Sequence, residues 1–156
     1  MVTIQKKLKM NLHILLQIVI SSIAATSVMT LFSYAVSASF RELYKEPVLL
    51  TFILTKLHIE VSPNTKSILA WLLHYVIGLL FVIAYHFMWI YNLAAFLWSI
   101  ALLFGAISGI IGILGWAMMF KAVDQKPNID IKGYYLQLFF AHVIFGLVAF
   151  LVYKMF

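Results

Sequence analysis

No Asp, Glu, Lys or Arg occurs between Lys66 and Lys121, and charged residues make up only 10% of the 156-residue chain, against about 25% in an average soluble one. About 20 apolar residues cross the hydrocarbon of a bilayer, so the 54 uncharged residues between those lysines cross it twice. A soluble domain is excluded. Cysteine is absent, which removes disulfides, thiolate metal sites and cysteine nucleophiles together. Carboxylates are scarce as well: the five Asp and Glu residues all lie outside the apolar runs. With no paired carboxylates, no Ser-His-Asp set, no phosphate loop and no HExxH, the chain reads as a protein that is not an enzyme. Its formal net charge of +6 does not indicate nucleic acid, because the basic residues form no stripe with interleaved aromatics. They sit singly at segment ends, as membrane-flanking anchors do.

What the chain does contain is 65% hydrophobic residues, arranged as four spans in one transmembrane domain, residues 1–156. The first runs over about 11–38. Its uncharged run from Met10 to Phe40 is about twice the 7–15 residues of a signal-peptide core, and is expected to be a retained helix. Trp71 and Trp89 are 18 residues apart, as are Trp98 and Trp116, or about 27 Å at 1.5 Å per residue. That is close to the hydrocarbon thickness, and Trp favours both interfaces. The four tryptophans are therefore expected as interfacial anchors of spans at about 67–90 and 94–120, with Tyr91-Asn92 as the tight turn between them. The fourth span covers about 134–153.

Two longer connections remain. Residues 121–133 are polar, with Pro127 and Asn128 as turn formers. Residues 39–66 include a helix start at Glu46-Pro47, followed by Leu49, Leu50, Ile53, Leu54 and Leu57 at helical spacing. A helix over about 47–60 is too short to span and is expected to lie in the interface as an amphipathic segment, with Asn64 or Thr65 capping the second span. Arg41, Glu42, Lys45 and Glu46 read as a solvated face. Lys6, Lys7, Lys9 and Lys154 lie on the side of the termini, and the other seven basic residues on the side of the two long connections. The count favours cytoplasmic connections, whereas the lysine cluster ahead of the first helix favours the reverse.

HYVIGLLFVIAY at 74–85 and HVIFGLVAFLVY at 142–153 share His, Gly and Tyr at the same offsets. The match suggests an internal duplication of a helix pair. The first and third spans then correspond through stripes of small residues, Ser22, Thr26, Thr30 and Ser33 in one and Gly105, Ser108, Gly109, Gly112 and Gly115 in the other. The extra length of the first copy equals the interfacial helix. Both copies run the same way, so the expected fold is an all-α, integral membrane four-helix bundle of two parallel-repeat helix pairs. Small residues let backbones approach in lipid, and the first and third helices are expected in close contact.

His74 and His142 are the leading candidate site residues, since ionisable groups within a span tend to face the protein interior. Two readings stay open. They hold a b-type haem between the second and fourth spans, with Gly78 and Gly146 leaving room for the macrocycle, or they are neutral imidazoles bonded across helices to Ser or Thr. No other metal is expected, because no carboxylate lies in a span. His86, twelve residues beyond His74, is placed at the opposite interface.

The stretch AATSVMTLFSYAVS followed by KEPVLL, within Ala24 to Leu50, resembles the opening of small four-helix inner-membrane proteins of bacteria to which no activity is attached. The resemblance implies a bacterial inner membrane and no chemistry. Three functions follow from the residues. One is an accessory or scaffold subunit packed against other membrane proteins or further copies of itself, with lipid as its solvent. Another is a small transporter or channel whose path follows Ser22, Thr26, Thr30 and the two histidines. The third is haem electron transfer.

Overall fold

The computed structural model describes residues 2–156, with side chains described from residue 12 onward. Lys6, Lys7, Lys9 and Asn11, used above to place the first span, have side chains outside that set. Five helices make up the fold: α1 (Val2–Phe40), α2 (Glu46–Lys56), α3 (Pro63–Ile90), α4 (Trp98–Ala122) and α5 (Ile131–Lys154). Strands are absent among the described residues. Four of the helices, α1 from Leu12 and all of α3, α4 and α5, are long and apolar enough to cross a membrane. Their outward residues agree: Leu31, Ile68, Met118 and Leu136, one on each helix, are 62–69% exposed. In water those side chains would drive aggregation; in a bilayer they meet lipid.

The helix ends follow local chemistry. Ser62, rather than Asn64 or Thr65, caps α3 by accepting from the Thr65 amide at 3.2 Å, with Pro63 in the first turn, where its missing N–H costs nothing. Asp130 accepts from the Lys132 amide at 3.1 Å and so starts α5 three residues earlier than the apolar pattern predicts. The left-handed residues Arg41, His58 and Asn92 terminate α1, α2 and α3. In each case the following amide returns to a carbonyl five residues back, which satisfies the exposed helix end. The α3–α4 link takes residues 91–97, so α4 begins at Trp98 rather than near residue 94.

The helices alternate in direction. At one end the two long connections meet: Tyr44 Oη donates to Asp130 at 3.4 Å, and Lys56 Nζ donates to Gln125. At the other end Gln17 Nε2 donates to the Tyr153 carbonyl at 2.9 Å, and Trp89 packs on Tyr153. Hence α1 runs parallel to α4, and α3 to α5, as the repeat predicts.

The packing does not follow that equivalence. α4 packs on α5, α5 on α1, and α1 on α3, but the α3 and α4 backbones scarcely approach each other. Among the described residues α1 and α4 are likewise not one of the closely packed pairs, contrary to the expected close contact. The glycines of α4 serve α5 instead. A Cβ at Gly105 would lie 2.7 Å from the His142 carbonyl oxygen, and one at Gly146 would lie 2.6 Å from that of Ala101. Gly109 backs in the same way onto Phe139.

Helix α2 is present in the first connection, and its apolar face lies on protein. Leu49, Leu50 and Ile53 are buried, with Tyr44, Trp116, Phe120, Tyr134 and Leu138 in the same cluster. The helix packs along α3 and plugs the connection-side end of the bundle.

Candidate functional site

The polar face of α1 is wholly internal. Ser22, Thr26, Thr30 and Ser33 are all less than 7% exposed, turned towards α3 and α5. Thr30 Oγ1 donates its one hydrogen to the Thr26 carbonyl at 2.7 Å and sits 2.9 Å from His74 Nε2. Because that hydroxyl has no second proton, His74 Nε2 must carry the hydrogen of the 2.9 Å bond, leaving Nδ1 as a lone pair. His142 Nδ1 donates to the Leu138 carbonyl at 2.9 Å, leaving Nε2 as a lone pair. Each histidine lies eleven residues into its helix, about 16 Å at 1.5 Å per residue. They are level in the bundle, as the repeated motif predicts, and line the same cavity. Their anchors differ, one across helices and one within its own.

The cavity holds about 200 Å³ and occupies the gap left between α3 and α4. Ile77 on α3 and Ile111 on α4 line it and are 43% and 51% exposed, so its mouth faces sideways between two spanning helices. Thr26, Leu138 and Phe145 form its inner wall. Towards the termini it is closed by Tyr85, stacked on Phe104 at 4.9 Å and bonded to Ser108 Oγ at 2.6 Å. Gly112 leaves room for the His142 ring, whose Cε1 would lie 2.9 Å from an added Cβ. At Gly115 an added Cβ would meet nothing within 4 Å, because that position faces the empty space.

On the connection side the cavity reaches Glu46. This carboxyl is 1% exposed, contrary to its expected place on a solvated face. Ser33 Oγ donates to Oε1 at 2.6 Å, and Gln137 Nε2 donates to Ser33 Oγ at 2.6 Å and to Oε1 at 3.4 Å. Three helices thus converge on one acid. Its other oxygen, Oε2, and the Gln137 Oε1 are buried without a partner among the described residues, as is Thr26 Oγ1. An unpaired buried polar atom costs about 1–3 kcal/mol, so the surroundings of Glu46 and Thr26 are the least satisfied polar part of the cavity wall. Burial raises the Glu46 pKa from 4.5 to about 7, against the lowering effect of the Ser33 and Gln137 hydrogen bonds.

Glu46 and Gln137 were not among the residues singled out from the sequence. The signal for Glu46 was present: with Leu49, Leu50 and Ile53 it falls at i, i+3, i+4 and i+7, on the apolar face of α2. Gln137 stood out only as an amide inside an apolar run.

Other candidates have different surroundings from those expected. The spaces beside Gly78 and Gly146 are filled, the first by Thr26 and Phe145 and the second by Ala101 and Gly105. A flat macrocycle has no slot there. Among the described residues no three His, Asp or Glu side chains gather to hold a metal ion. His86, near the terminus-side end of α3, is buried in the bundle and shares a 2.6 Å hydrogen bond with Tyr153 Oη. Trp71 and Trp98 keep outward surface, whereas Trp89 and Trp116 turn inward to stack among aromatic rings. Comparison of the chain with protein-family models, with curated proteins and with solved structures gives no match.

Proposed function

We propose that the protein is a small carrier, which binds a lipid-soluble molecule in the α3–α4 cavity and moves it across the bilayer. The observation that supports this is the cavity itself: a space opening sideways between two spanning helices, with a buried carboxyl and two imidazole lone pairs on its walls. Ligand sites are mostly apolar concavities with a few convergent polar groups, and membrane carriers place theirs between repeats. With Tyr85 and Phe104 packed on the terminus side and α2 on the connection side, the lateral mouth between α3 and α4 is the entry for a lipid-soluble molecule. A scaffold packed against other membrane proteins rests on exposed apolar faces that lipid covers equally well, and it leaves the cavity without a role.

Native mass spectrometry of protein released from nanodiscs tests the reading. The expected result is an added small-molecule mass on the parent that is lost from Gly115→Phe, whose Cβ meets nothing within 4 Å and whose ring enters the cavity. A bare parent, or an adduct that persists in the filled variant, refutes it.

A further inference from the structure

Resting on the carrier reading, we propose that the ligand is an organic monocation, an aryl or alkyl amine whose ammonium group sits on Glu46 Oε2 and takes the place of the carboxyl proton. The donor and acceptor inventory points there. Glu46 Oε1 already accepts from Ser33 and Gln137, so only Oε2 is free for a ligand. Gln137 Oε1 beside it is a second unpaired acceptor. His74 Nδ1 and His142 Nε2 present lone pairs, as their hydrogen bonds require. Among the described residues of the lining, the donors without a partner are the Thr26 hydroxyl and the Trp116 indole N–H, and in the empty site Glu46 Oε2 carries the carboxyl proton. The Glu46 carboxyl and the two imidazole lone pairs on the lining suit a ligand with N–H groups, and among the described residues no Lys or Arg lines the cavity to hold an anion.

The rest of the cavity fits the body of such a ligand. Phe81, Trp116 and Phe145 are on its walls, and aromatic rings attract ammonium groups by about 0.5–2 kcal/mol. An engineered cavity of about 150 Å³ holds benzene, so one of about 200 Å³ takes an aromatic ring with a short amine tail.

Proton and charge balance. The empty site holds a neutral carboxyl; on binding, the ammonium forms an ion pair with the carboxylate, and the released proton goes to water. A bare carboxylate buried there would be strongly unfavourable, whereas a paired one is not. The titratable groups near Glu46 are Tyr34 on α1, His74 on α3, and Tyr134 and His142 on α5. Lys45 precedes Glu46 in the chain, but its Nζ lies over the Tyr34 ring at 4.8 Å. Histidine is the usual titrating side chain between pH 5 and 8, so Glu46→Gln, which leaves both imidazoles in place, separates the acid from them.

Calorimetry on the full chain in nanodiscs, at pH 6, 7 and 8, compares 2-phenylethylamine, 2-phenylethanol and 3-phenylpropanoate. The amine is expected to bind about tenfold more tightly for each unit by which the pH rises towards about 7 and to level off above it, releasing about one proton per molecule at pH 6. Glu46→Gln, with folding checked by circular dichroism, is expected to lose that dependence and most of the affinity. Equal binding of the alcohol, an unchanged pH profile in Glu46→Gln, or no binding of any probe overturns the amine assignment. If all three probes bind the parent and none binds Gly115→Phe, the cavity stands and only the charge preference fails. If the filled variant binds as the parent does, the carrier reading fails as well.

Discussion

The two ends of the bundle are closed by opposite means. On the terminus side rings pack on rings: Trp89 and Tyr153 at 4.8 Å, Phe96 and Phe150 at 4.5 Å, and Trp98 and Phe150 at 4.8 Å. The connection side is closed by a separate helix, α2, which brings a carboxyl into the protein at Glu46. The same contrast separates two helix interfaces that a parallel repeat would make equivalent. Between α1 and α5 the backbones are in close contact, while α3 and α4 stand apart. Ring packing itself needs no specific protonation state, and the titratable group at this end, His86, is bonded to Tyr153 Oη at 2.6 Å. A plug built on a titratable acid carries a charge state that depends on pH.

Glycine substitutions should break this comparison most sharply. Gly146→Leu would press into the Ala101 carbonyl and Gly105, and is expected to cost about 3 kcal/mol or more, read as loss of the folded fraction in a detergent unfolding titration.

Next in size is the pH dependence of the polar end. Burial holds the Glu46 pKa above its unfolded value of 4.5, at about 7, so the folded chain keeps a proton that the unfolded chain has already lost. This contribution is full below pH 4.5 and falls as the pH rises to about 7, by about 3 kcal/mol. Thermal unfolding from pH 4.5 to 8 should show the decline in the parent and a flatter profile in Glu46→Gln.

Thr30→Val leaves the His74 Nε2 hydrogen without its acceptor and is expected to cost about 1–2 kcal/mol in the same unfolding assay. Combined with Thr26→Val it should also abolish amine flux into proteoliposomes; unchanged flux would remove the α1 stripe from the path. Tyr85→Phe, at the junction between the two ends, loses the 2.6 Å bond to Ser108 for about 1 kcal/mol. It should also raise passive leak through the cavity floor. Smallest of all is Gly115→Leu, on the same helix as Gly105 but facing empty space. Its unfolding midpoint should shift by no more than about 0.5 kcal/mol.

Much of the fold was legible in the sequence because lipid leaves few alternatives: a backbone that cannot bond to water must bond within helices, and helices must be apolar for their full span. The repeated His-Gly-Tyr spacing also placed His74 and His142 at one depth. The site was less legible. Glu46 lies among Arg41, Glu42 and Lys45, where charge alone suggests water, and only the register of α2 sets it on the buried face. The choice of partner for each small residue could not be read at all, since Gly105 and Thr26 both belong to stripes that suit any neighbour.

Composition and periodicity alone therefore determined the solvent, the number of spans and their alternating directions, because each follows from transfer of side chains and peptide groups into hydrocarbon. Tertiary structure decided which pairs of helices close and which stay apart. Small-residue faces fit several neighbours with similar energy, and the contacts they make with one another select among them. From that selection come the open α3–α4 gap, and the burial of one acid at its edge.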